Sequence, residues 1–419
     1  MVRQNLPGRA LADVAAETRA QMEAANLGSG LKPGATVAIG AGSRGIRNID
    51  VILREVVRYW KDRGMRPFIF PAMGSHGAGT AEGQADVLAQ YGITESPMGC
   101  PVVSQLEVIS LGKTADGVEA FMDRKAYEAG GVMVVNRVKW HTDFEGQIES
   151  GLFKMLALGL GKIAGAQRYH SAAVKLGLEH VVVTVARKAL ESGKVLGGVA
   201  VLEDAYHNTA AIRAVAGADM ERSERESLAL AKSWMAKIPM DLDVLILDEI
   251  GKEISGTGMD TKVVNRTINA QDAPWPGARS RRIFVRELSP LSYGNATGMG
   301  LADITTDRLV ERIDWEATKV NIFTSTNLPG CRTPVHCATD VECLRALAPT
   351  VGKPEPLDVT YGWLRNTLEV TRMALSGNLR PQIERSSELT IEDEFDFQFD
   401  DDRNLVSPFG CLRDTVSAH

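Results

Sequence analysis

The chain has 419 residues, 44% of them hydrophobic and 24% charged, with a formal net charge of −6 and a pI near 5.8. That length and apolar content suit two or three globular domains with sizeable cores, and the acidic balance, with no block of Lys and Arg, argues against a broad nucleic-acid-binding face. No stretch approaches the ~20 apolar residues of a membrane span, so no membrane partner is expected. The N-terminus, MVRQNLPGRALADVAAETRA, reads as an ordinary helix start rather than a signal peptide, and the cytoplasm is the expected location.

Strand-like runs alternate with helical patterns along the chain. Ala35–Gly40 (ATVAIG) is a strand, and Asp50–Asp62 follows as a helix with Val51, Ile52, Val56 and Val57 at apolar positions. Pro67–Ala72 is the next strand, and Thr80–Tyr91 a helix closed by Gly92. Gly131–Val135 (GVMVV) is a third strand. Val182–Lys194 reads as a helix and Val195–Leu202 as a strand. Leu242–Leu247 (LDVLIL) and Lys319–Phe323 (KVNIF) read as further short buried strands. The segment Glu388–Asp402 is acidic and aromatic, a solvated terminal segment or an edge strand. This alternation predicts an α/β fold, two α/β domains with mainly parallel sheets and a cleft between them. A glycine-rich stretch near residue 250 marks the expected boundary. Residues 1–250 would carry the functional loops, and residues 251–419 would close the cleft.

In α/β sheets ligands collect where strand ends feed loops into helices, and four such loops hold unusual residues. Gly40-Ala41-Gly42-Ser43-Arg44-Gly45 lets backbone N–H groups approach an anion, and Arg44 suits a carboxylate or phosphate clamp; a tight turn with a surface arginine is the plainer alternative. Gly74-Ser75-His76-Gly77 sets an imidazole, suited to proton transfer, in glycine-rich backbone; a turn-capping histidine is the alternative. Residues 136–170 hold His141, Lys154 and His170 among many glycines. Lys154 lies in an apolar run (GLFKMLALGL), where burial makes an amine more reactive, unless it snorkels from an amphipathic helix. Ser255-Gly256-Thr257-Gly258-Met259-Asp260, followed by Lys262 and Arg266, offers cations from the second domain, or simply caps a helix.

The five cysteines are an odd number at low density, which fits no disulfide framework. Cys331, Cys337 and Cys343 match no metal spacing and read as buried structural thiols.

Taken in order, these loops resemble the nickel-pincer lactate racemase family over about residues 36 to 270. Arg44 in GSRG matches the family's substrate-binding loop arginine, and His76 in GSHG its first catalytic histidine. His141 matches the second catalytic histidine, Lys154 the lysine that attaches the cofactor, and His170 the nickel ligand. The Lys154–His170 separation of 16 residues is the most specific match. Arg266 sits where the family places a substrate-binding lysine, and Lys262 where lactate racemase has an aromatic residue. Ala41 replaces the family's aspartate three residues before the loop arginine.

The resemblance implies a racemase or epimerase that inverts the hydroxyl-bearing carbon of a small 2-hydroxy acid or sugar acid. It implies a nickel-pincer nucleotide (nickel pyridinium-3,5-bisthiocarboxylic acid mononucleotide) on Lys154, with Ser43, Gly74 and Ser75 near its phosphate. Arg44, Lys262 and Arg266 would hold the substrate. Its partners would be that substrate and the cofactor-biosynthesis proteins; homo-oligomerisation stays open. Three competing readings remain from the residues: an NAD(P)-dependent oxidoreductase, a non-enzymatic binder of an anionic metabolite, and a zinc hydrolase using three histidines.

Overall fold

The computed structural model describes residues 1–42 and 45–410. The chain divides into two compact units, one of residues 8–235 and the other of residues 1–7 with 236 onward. Strand β1 (Val2–Gln4) belongs to the second of these.

Within residues 8–235 the elements run α1 (Val14–Ala25), β2 (Thr36–Ala41), α2 (Ile49–Asp62), β3 (Arg66–Pro71), α3 (Ala81–Gln90) and the short α4 (Glu95–Met98). The hairpin β4 (Val108–Lys113) and β5 (Glu119–Asp123) follows, then α5 (Arg124–Glu128) and β6 (Gly131–Arg137). Next come α6 (Leu152–Lys154), a π-helical turn (Met155–Gly159), α7 (Leu160–Leu176) and α8 (Leu178–Glu191), and last β7 (Val195–Glu203), β8 (Thr209–Ala216) and α9 (Met220–Trp234). Five strands form one sheet in the order β3-β2-β6-β7-β8, parallel except for β8, which returns antiparallel on β7.

The sheet is buried on both faces, so its strands read as continuous apolar runs. The period of two still assigns each side chain to a face. Val132 and Val134 of β6 pack with Leu152, Phe153, Leu156 and Val181 on one side. Met133 and Val135 pack with Ile52, Val56 and Trp60 of α2 on the other. Helix α2 buries Ile49, Ile52, Leu53, Val56 and Trp60, the i, i+3, i+4, i+7 stripe of an amphipathic helix.

The second unit continues with β9 (Leu242–Ile250), α10 (Thr261–Val264), β10 (Ser280–Leu288), β11 (Ile304–Thr306), α11 (Asp307–Glu311), α12 (Trp315–Ser325), β12 (Val335–Cys337), α13 (Asp340–Thr350), β13 (Tyr361–Leu364), β14 (Arg372–Leu375), α14 (Arg380–Ile383) and β15 (Leu389–Ile391). Its eight-stranded sheet has the order β12-β11-β10-β9-β13-β14-β1-β15. The first five are parallel; β14, β1 and β15 add an antiparallel flank. Strand β9, which the sequence reading put at the end of the first domain, lies inside this sheet. The N-terminal β1 pairs between β14 and β15.

The α/β expectation with mainly parallel sheets holds. The strand expected over Lys319–Phe323 does not form, because that segment lies inside helix α12. Asp314 caps this helix, its carboxylate accepting from the Glu316 and Ala317 N–H groups at 2.8 and 3.0 Å. Thr318 and Ile322 are buried, four residues apart, while Val320 and Phe323 are exposed. Of the acidic segment, Leu389–Ile391 forms the edge strand β15. Among the described residues the cysteines are free; Cys100 and Cys343 are buried, Cys331 and Cys337 partly so. No helix of the described residues is long and apolar enough to cross a membrane.

Candidate active site

Three loops of the unit 8–235 follow β2, β3 and β6, neighbouring strands that all point the same way, so these loops leave the same edge of the sheet. The first follows β2. Gly42 donates its N–H to Val135 O at 3.0 Å, and a Cβ there would fall 2.3 Å from Asn136 Oδ1, so a larger residue would have to displace the Asn136 side chain. Ser43 and Arg44 lie outside the described residues. Beyond them Arg137 donates to Gly45 O at 2.9 Å and to the Glu203 carboxylate, which also accepts the Arg47 N–H at 3.0 Å. Burial alone would raise the Glu203 carboxyl, but Arg137 and these hydrogen bonds hold it down at about 2. The pair braces the segment that follows Arg44.

The second loop follows β3 and carries Gly74, Ser75 and His76. Gly74 packs against α7, where an added Cβ would sit 3.0 Å from Ala166 Cβ. Ser75 is exposed and His76 half-buried. His76 O accepts the Gly79 N–H at 3.0 Å, and Thr80 caps α3 through the Gly83 N–H at 3.1 Å. Gly77 has φ +59°, and a Cβ there would fall 2.2 Å from the Gly83 carbonyl carbon. The glycine content of this loop is therefore steric.

The third loop follows β6. His141 Nδ1 accepts the Asp143 N–H at 3.0 Å. Its Nε2 lies 2.8 Å from Lys154 Nζ. An imidazole within hydrogen-bond reach of an amine is suited to proton transfer. Two glutamates hold this loop. Glu149, fully buried, accepts from the His141 and Gly146 N–H groups and from Lys232 Nζ at 2.6 Å. Burial raises its carboxyl despite those donors. Glu179 accepts from the Gln147 and Ile148 N–H groups at 2.7 and 3.0 Å.

Lys154 ends α6 and is the one half-exposed residue in the buried run 151–160. Glu224 of α9 caps its turn, accepting the Phe153 N–H at 2.8 Å; burial pushes the Glu224 carboxyl up to about 8. On one straight helix, 16 residues would separate Lys154 and His170 by about 24 Å and about 160° around the axis. The helix is not straight. It passes through the π-helical turn and then breaks at Lys162, whose φ of 54° and ψ of −157° are not helical. Beyond the break, Tyr169 lies against Gly161 and Gly165, where added Cβ atoms would fall 2.9 and 2.7 Å from its ring. His170 follows it. Burial, and then the charge of Lys154, push the His170 imidazole down to about 4. His170 is therefore neutral near pH 7, with a lone pair available to a metal.

Lys262 and Arg266 belong to the other unit. Asp260 caps α10. Lys262 is buried with Nζ 3.2 Å from the Trp275 ring centre. Arg266 is buried and ion-paired with Asp303 at 2.7 Å, and it also donates to Leu301 O, Ser280 O and Arg281 O. Among the described residues no group of three or more His, Cys, Asp and Glu side chains is arranged to hold a metal ion, so His76, His141 and His170 do not form the cluster a zinc hydrolase would need.

The sequence reading missed Glu149, Glu203, Glu224, Lys162 and Gln84. One of them left a legible mark. Met220, Glu224, Ser227 and Leu228 form the buried stripe of α9, and a glutamate on such a stripe signals a buried polar task.

No protein-family model and no curated protein matches this sequence. Among solved structures the fold is similar to that of the lactate racemase apoprotein from Thermoanaerobacterium thermosaccharolyticum. The TM-score is 0.53 at 13% identity, and the match covers 87% of this chain and 94% of that one.

Proposed function

We propose that the chain is an isomerase, a racemase or epimerase, that inverts the hydroxyl-bearing carbon of a small 2-hydroxy acid or sugar acid with a nickel-pincer nucleotide attached to Lys154. The observation that carries this reading is the contact of Lys154 Nζ with His141 Nε2, with a neutral His170 beyond the broken helix. Likeness of fold to a lactate racemase apoprotein supports it. The donor set also fits. A nickel ion that arrives with its other donors on the nucleotide needs one protein imidazole and one amine tether, not a protein cluster.

Inversion requires hydrogen to leave one face of a carbon and return to the other. When bound, the nucleotide supplies the hydride acceptor and donor for that exchange. The chain's residues do the rest. His141 and His76 take and return the hydroxyl proton, one for each antipode. Arg44 grips the substrate carboxylate through parallel hydrogen bonds; Lys262, expected from sequence to add a second cation, is buried against Trp275 in its own unit. Arg266, expected from sequence to share that grip, has Asp303 as its counter-charge, and we assign it a bracing role in its own unit. Ser43, Gly74 and Ser75 take the nucleotide phosphate, Lys154 is the tether and His170 the protein's nickel ligand.

Intact mass and metal analysis of protein produced alongside the cofactor-building enzymes tests the proposal. The expected result is added mass on Lys154 and one nickel per chain, with chiral inversion in a screen of 2-hydroxy acids and aldonates. His76→Ala and His141→Ala should each abolish inversion with the added mass retained. An unmodified Lys154 without nickel would overturn the reading.

A further inference from the structure

The β3–α3 loop and the broken helix press against each other through glycines. A Cβ on Gly159 would fall 2.8 Å from Ala72 O, and one on Gly74 would fall 3.0 Å from Ala166 Cβ and 4.0 Å from Lys162 O. At the centre of this contact sits Lys162, fully buried, with a positive φ that a non-glycine residue adopts only at a cost. Its Nζ donates to Pro71 O and to Gln84 Oε1, both at 2.7 Å. Gln84 is itself fully buried, and its Nε2 donates to Met73 O at 3.3 Å and to Gly74 O at 3.0 Å. Asp123, also buried, lies 3.9 Å from Nζ.

We infer that Lys162 is a positioning residue: through Gln84 its buried amine ties the backbone preceding His76 to the helix break that lies between Lys154 and His170. Neither side chain faces solvent, so neither touches substrate. A methionine would fill the same space without the cost of burying a charge, so what the amine adds is direction. It donates to one carbonyl at the end of β3 and, through the Gln84 amide, to two more in the next three residues. Desolvation lowers the Lys162 amine to about 8, opposed by Asp123. In its hydrogen bonds to Pro71 O and Gln84 Oε1 it is the donor, a role that either protonation state fills. The assignment of His76 as a proton carrier rests on the proposed function; the mechanical link does not.

The test uses full-length protein without added cofactor. Amide exchange by mass spectrometry compares the peptide covering residues 72–79 with those covering β2 and β6 in Lys162→Met and Gln84→Leu. Both variants should speed exchange in 72–79 by roughly tenfold and leave the strands unchanged. The His76 imidazole signal should move while those of His180 and His336 stay. Unchanged exchange in 72–79, or acceleration spread evenly over residues 8–235, would overturn the assignment. Should Lys162→Met fail to fold, Gln84→Leu decides by the same criterion. In cofactor-loaded protein kcat should fall on the order of 100-fold with the mass on Lys154 retained. Absence of any inversion in the parent protein would count against the proposed function and leave the exchange result standing.

Discussion

The side chains that hold the loop of His141 and the turn of Lys154 include buried ionisable groups that never reach the surface. Glu224 is the clearest. It hangs from α9, is nearly fully buried, and spends one carboxylate oxygen on the Phe153 N–H that starts the turn of Lys154. Burial favours its neutral form and lifts the carboxyl from the ordinary 4.5 to about 8. The sign of the pH effect follows. A group held protonated in the folded state contributes stability that is complete below about pH 4.5 and is lost as pH rises through about 8. Glu224→Gln keeps an acceptor for Phe153 and cannot ionise. Its melting temperature should therefore fall less than the parent's between pH 5 and pH 8.5, by on the order of 5 °C. Parallel melting curves across that range would show that the carboxylate costs nothing where it sits.

At the level of elements, the π-helical turn and the break at Lys162 change where His170 falls relative to Lys154. An unbroken helix from Leu152 to Leu176 would carry Lys154 and His170 on different faces. The glycines of LGLGKIAG leave room for the break and for the Tyr169 ring beside it. Gly165→Ala would put a Cβ 2.7 Å from that ring, next to His170. Overpacking of this kind costs about 1–3 kcal/mol, measurable by denaturant unfolding, and under the proposed function nickel loading should weaken in parallel. An unchanged stability would mean that Tyr169 has space to retreat. Helix α12 shows the opposite limit. The short apolar run over Lys319–Phe323 imitates a strand, yet the cap at Asp314, five residues upstream, sets the helix.

Across the whole chain, the N-terminal strand is tied far from its neighbours in sequence. Gln4 donates to Lys237 O and Val370 O, and β1 is hydrogen-bonded on both edges. Deleting residues 1–7 should strip β15 from its sheet and speed amide exchange in Arg372–Leu375 and Leu389–Ile391, while the strands of residues 8–235 keep their protection. Uniform protection in the truncated chain would show that β14 and β15 hold without β1. The same unit anchors its C-terminal segment through a buried ion. Arg286 lies between Asp248 and Asp340 and donates to Leu405 O, and Ser407 donates to Asp248. None of these pairings has a local sequence signature.

Periodicity and glycine punctuation were enough to predict the α/β class, four of the five strands of the first sheet, β9 of the second, and the loops bearing His76 and His141, because those signals are local and repeat every two or every 3.6 residues; Lys154 and His170, expected on a loop, lie on helices. The 16-residue interval was legible as a resemblance and not as geometry, since regular helix spacing argues against convergence. Only the tertiary structure decided that the helix breaks at Lys162, that β1 joins the second unit's sheet, and that Glu149, Glu224, Lys162 and Gln84 are buried with backbone hydrogen-bond partners. Those outcomes depend on burial. A charged side chain finds its partner only when chain segments tens or hundreds of residues apart are brought together, and the cost of leaving it unpaired there is what fixes the loops.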